Sequence, residues 1–67
     1  MNSVSRIISN YLNDNCLSVH YLQKETLIEQ SQIYRYIRGA TLPSLINAKR
    51  LCQAIGCTMD ELTEDIE

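Results

Sequence analysis

The sequence predicts an all-α fold, a compact bundle of five short helices. Three observations carry that prediction. Apolar residues recur at spacings of three and four through most of the chain, no segment alternates apolar and polar residues for any length, and cap or turn residues punctuate each periodic stretch. With 67 residues, 45% hydrophobic and only two Gly and one Pro, the composition is that of one globular domain over residues 1–67 rather than a disordered tail. No repeat, linker or low-complexity stretch divides it.

From Ser3 to Asn13 the residues Val4, Ile7, Ile8, Tyr11 and Leu12 recur at i, i+3, i+4, i+7 and i+8, the one-sided pattern of an amphipathic helix. Asn13-Asp14-Asn15 ends it, because short polar side chains compete for backbone hydrogen bonds. Leu17-Ser18 then supplies an apolar entry residue and an N-cap for a second helix, Val19 to Glu25, with Leu22 inward. After Thr26-Leu27-Ile28 a third helix fits Gln30 to about Arg38. Its apolar stripe is Ile33, Tyr36 and Ile37, and its other face carries Gln30, Ser31, Tyr34, Arg35 and Arg38. Gly39 suits the left-handed position after a helix, and Pro43 follows where no helix continues. Ser44 caps a fourth helix with the stripe Leu45, Ala48, Leu51, Cys52 and Ile55, closed by Gly56. Thr58-Met59-Asp60-Glu61 is a capping box, hydroxyl at N-cap and carboxylate at N3, opening a short fifth helix with Leu62 inward.

Composition narrows the function. No apolar run approaches the roughly 18 residues of a membrane span, and no basic-then-apolar leader stands at the N-terminus, so the chain reads as soluble and cytoplasmic. Cys16, Cys52 and Cys57 cannot all pair within one chain, and reduced thiols are the default. With His20 they form a Cys3His set spaced C-x3-H and C-x4-C, yet the tight C-x2-C pair of zinc sites is missing, and Cys52 falls on an apolar stripe where a small thiol packs. One His, no Gly-rich phosphate loop and no nucleophile with a neighbouring base leave no enzyme, cofactor or small-molecule ligand to assign. The net charge of −2 argues against a nucleic-acid partner until its distribution is read. Asp60, Glu61, Glu64, Asp65 and Glu67 crowd the end, so residues 1–59 set all six basic residues against three acids, a net +3.

Two short helices joined by a tight turn, the second with polar residues along its exposed N-terminal edge, form the arrangement that enters a DNA major groove. Over Leu17 to Leu62 the chain resembles the lambda-repressor and Cro type of helix-turn-helix domain (Cro/C1-type, XRE-type). The resemblance rests on Leu22, Ile28, Ile33, Tyr36, Gly39, Pro43-Ser44, Leu51, Ile55-Gly56 and Met59-Asp60-Glu61-Leu62, and is strongest in RGATLPSLINAKRLCQAIGCTMDEL. It departs from the family in the turn, with Gln23 where a small residue is usual and Leu27 where a Gly is usual. It departs again at Ile37, where the family often places a Glu paired with an Arg of the first helix. An apolar contact of Ile37 with Leu12 is the expected replacement.

The resemblance implies a compact five-helix lambda-repressor-like domain with its helix-turn-helix at helices 2 and 3. It implies a transcriptional regulator of double-stranded DNA, a bacterial or phage repressor acting as a homodimer on a palindromic operator. Gln30, Ser31, Tyr34 and Arg35 would face base edges, while Ser18, Arg38, Thr41 and Ser44 would lie near phosphates. The bland reading of each is a solvated surface residue. Lys49 and Arg50 read as a solvated face, Arg6 and Lys24 as peripheral phosphate contacts or nothing, and His20 as exposed. Met59, Leu62 and Ile66 are the expected dimer contact. The competing readings are a protein-interaction module on the same fold, such as an antitoxin or antagonist, and the DNA-binding head of a longer regulator.

Overall fold

The computed structural model describes residues 2–65. Among them the backbone forms five helices and no strand: α1 (Ser3–Asp14), α2 (Val19–Thr26), α3 (Gln30–Arg38), α4 (Leu45–Ile55) and α5 (Met59–Leu62). The fold class read from the sequence is the one observed, with boundaries displaced by a residue at the ends of the first two helices. None of these helices is long and apolar enough to cross a membrane.

One core joins all five. Val4, Ile8 and Leu12 of α1 meet Val19 and Leu22 of α2, Ile33 and Tyr36 of α3, Ala48, Leu51 and Cys52 of α4 and Leu62 of α5, with Ile28 from the α2–α3 link. Burying a side chain of the Leu or Ile size contributes about 1.5–3 kcal/mol, so this cluster is what sets the angle between α2 and α3. Helix α1 packs on α3 and α5, and α2 on α3 and α4.

The caps follow local chemistry. The Asn2 side chain accepts from the Ser5 N–H at 2.8 Å, Ser18 from Tyr21 at 3.3 Å and Ser44 from Asn47 at 3.3 Å. The capping box at Thr58 and Glu61 closes both ways. Cys16 lies in the left-handed region (φ +53°), and there the Leu17 N–H donates to the Leu12 carbonyl and the Cys16 N–H to Asn13. These paired bonds absorb the carbonyls left open at the end of α1, a Schellman closure without glycine. Gly39 (φ +73°) closes α3 the same way, through Ala40 to Arg35 and Gly39 to Tyr36.

Three small polar residues that the periodic pattern leaves outside the core are buried. Ser3 donates its hydroxyl to the Leu62 carbonyl at 2.6 Å, Ser5 to the Ile37 carbonyl, and Thr26 to the Leu22 carbonyl at 2.7 Å. No buried side-chain nitrogen or oxygen among the described residues lacks a partner.

Two expectations need correction. Leu45, assigned to the inward stripe of α4, is 66% exposed beside an equally exposed Ile46, because no element covers the first turn of that helix. Leu62, assigned to a dimer contact, is fully buried beneath α1 and has no surface to offer a second chain. Met59 is half-buried against the same core, and Ile66 lies outside the described residues.

Candidate nucleic-acid interface

Helix α3 divides cleanly into two sides. Ile33 and Tyr36 are buried and Ile37 packs on the core, which fixes the helix about its own axis. Ser31, Tyr34 and Arg35 fall on the opposite arc, and Gln30, seven residues before Ile37, lies at the margin between the two. Ser31, Tyr34 and Arg35 are exposed and Gln30 is half-buried. Around this strip stand the exposed Ser18 at the start of α2, Arg38 at the end of α3, the half-buried Thr41 and the exposed Ser44. The eight residues singled out from the sequence therefore sit on α3 or at the helix ends and link flanking it.

Ser18 and Ser44 both spend an oxygen lone pair as caps. A hydroxyl that accepts in a cap keeps its own proton for another acceptor. The α3–α4 junction is held by Asn47, whose amide donates to the Tyr36 hydroxyl at 3.0 Å.

A helix-turn-helix family model matches residues 8–62, most of the chain. The chain belongs to the Cro/C1-type helix-turn-helix family. No curated protein and no solved structure matches it. The family binds double-stranded DNA and regulates transcription, and enzymes are not typical of it.

In this helix-turn-helix domain the turn keeps a left-handed residue even though that residue is leucine. Leu27 has φ +61° and ψ +23°, where a side chain is strained by about 1–2 kcal/mol. Its side chain is 77% exposed and relieves nothing by packing. Compensation comes from Thr26, whose buried hydroxyl donates back to Leu22 and accepts from the Ile28 N–H at 3.2 Å, so the turn is bonded on both sides of Leu27.

Ile37 packs against the core to which Leu12 belongs, and a polar tie joins α1 and α3 as well. The Ile37 carbonyl takes the Ser5 hydroxyl, seven residues and about 10.5 Å along the helix from Leu12. The end of α3 meets the start of α1, as the 3.8 Å approach of the Asn2 side chain to the Gly39 position also requires.

One residue of the site escaped the sequence reading. His20, exposed as expected, bonds through Nδ1 to the Gln30 amide nitrogen at 3.0 Å. The pair bridges α2 and the first residue of α3. Nothing in local periodicity marks it, since it arises only once the turn has folded the two helices together. Arg6 pairs with Glu64 at 3.6 Å and so is directed to the α1–α5 side. Neither His20 with the three cysteines nor any other three His, Cys, Asp or Glu residues form a metal cluster among the described residues.

Proposed function

We propose that the chain is a sequence-specific transcriptional repressor that reads the DNA major groove with α3. The observation that carries the reading is the polar strip of half-buried Gln30 and exposed Ser31, Tyr34 and Arg35, along a helix whose other side is locked into the core. Gln30 gives one amide proton to His20. That leaves the second proton and the carbonyl oxygen to meet adenine N7 and N6 as a pair, while Arg35 offers two donors to guanine. Each such pair discriminates by about 1–3 kcal/mol. Ser18, Arg38, Thr41 and Ser44 position the domain on phosphates and carry no sequence information.

A nine-residue recognition helix is about 13.5 Å long and reaches only a few base pairs. A homodimer on a palindromic operator, with half-sites about 34–36 Å apart, supplies the rest of the specificity. Selection of bound duplexes from a random pool tests the reading directly. A palindromic consensus supports it, and recovery of no duplex at low salt refutes it.

Exposed Leu42, Leu45 and Ile46 beside α3 favour a second reading, a protein-interaction module on the same fold. Salt separates the two. Phosphate-based binding weakens by a slope of about 0.9 per neutralised phosphate, and an apolar contact does not.

A further inference from the structure

Away from the DNA-reading strip, three sulfurs converge where α4 passes into α5. Cys52 lies in the last turn of α4, Gly56 (φ +87°) reverses the chain, and Cys57 and Met59 return towards it. The Cys57 sulfur lies 3.7 Å from that of Cys52, and the Cys52 sulfur 3.6 Å from that of Met59. Cys52 is 8% exposed, while Cys57 and Met59 are half-buried, so the cluster is shielded on the core side and open on the other.

We propose that Cys52, Cys57 and Met59 form a binding site for a soft monovalent metal ion, Cu(I). Three sulfurs around one ion with bonds of about 2.3 Å stand about 4 Å apart. The two spacings observed, both from the Cys52 sulfur, are within a few tenths of an ångström of that, and the unbranched Met59 side chain has the rotatable bonds to bring its sulfur to the third corner. Two thiolates and a thioether form a soft donor set that selects Cu(I) over hard cations. No carboxylate or imidazole completes a zinc-type group here among the described residues. The nearby Glu61 carboxylate is engaged by the Thr58 N–H and hydroxyl at 3.1 Å. The end of α4 adds the negative pole of a helix, favourable to a cation. On binding, both thiols release their protons to buffer while copper and sulfur keep their oxidation states. The ion would pin the start of α5 to the end of α4.

The test is an anaerobic titration of the reduced chain, without DNA, using Cu(I) supplied as its acetonitrile complex against a bicinchoninate competitor. The expected result is one ion held per chain, with thiolate-to-copper absorption in the ultraviolet, and an unchanged result for Cys16→Ser. Cys57→Val and Met59→Leu keep apolar volume and helical circular dichroism. Each should weaken retention by at least the order of 10–100-fold seen when a metal site loses even an outer-shell partner. Failure of the parent to hold copper against the competitor overturns the proposal. Equal retention by Cys57→Val overturns it too, as does loss of copper in Cys16→Ser or equal retention of Zn(II) by the parent. Because the assay contains no duplex, its failure leaves the DNA-binding reading untouched.

Discussion

Leu27 is the residue whose side chain and backbone disagree most, which makes it the sharpest stability test. Glycine there relieves about 1–2 kcal/mol of left-handed strain and returns about 0.5–1 kcal/mol to the unfolded chain. With the leucine side chain 77% exposed, little packing is lost. Leu27→Gly is therefore expected to stabilise the domain by up to about 1.5 kcal/mol, read as a higher urea midpoint; a lower one removes the strain argument. At the reading strip, Arg35→Ala should relax base preference at one position, whereas Arg38→Ala should weaken all duplexes alike. If Gln30 reads a base as proposed, His20→Ala should reduce discrimination at that one position and leave the others intact, because its bond orients that amide. Binding of every probe as by the parent would dissociate His20 from recognition. The sequence made the strip legible because exposed polar residues facing an apolar stripe are a local pattern. It hid the His20–Gln30 bond and the burial of Ser3 and Ser5, since those depend on which helices meet.

Among the elements, boundaries were the most legible feature, because caps are chemical signals. Ser18, Ser44, Thr58 and Gly39 each end or begin a helix where their chemistry requires. The end of α1 was less so, since a cysteine in the left-handed region leaves no glycine to mark it. The junction of α1 with the turn after α5 carries a pH dependence. Hydrogen bonding to Ser3 holds the Asp65 carboxyl below the ordinary aspartate value, against a smaller upward push from burial. The hydroxyl's one proton goes to Leu62, which leaves the N–H, 2.9 Å from the carboxylate, as the effective donor. A carboxyl depressed in the folded state stabilises fully above its unfolded value, about 3.9, and the contribution is lost as pH falls through the lower folded value. Asp65→Asn should thus flatten the acid limb of a denaturation profile below about pH 4. An acid limb identical to the parent's would assign the effect to other groups. The acidic end is in this sense structural: Glu61 caps α5, Glu64 meets Arg6, and Asp65 meets Ser3.

For the molecule as a whole, charge distribution matters more than the total of −2. DNA affinity should fall linearly in logarithmic salt concentration, and Arg38→Ala should make that slope shallower by about 0.9, one phosphate's share. A slope unchanged by the substitution would place Arg38 off the backbone. The overall fold was legible because a single apolar stripe per helix admits few ways of closing five short helices. The surface was not: Leu45 falls on the inward stripe of α4 by spacing and lies outward, with Leu42 and Ile46 exposed beside it, because nothing packs over them. The Ser3–Asp65 bond also has a practical use in protein engineering. Both ends of the described chain leave from one pole, so two copies joined in tandem would hang from a common point. A tether of about ten extended residues spans about 33–36 Å, which sets how far apart two such domains could be held in one polypeptide.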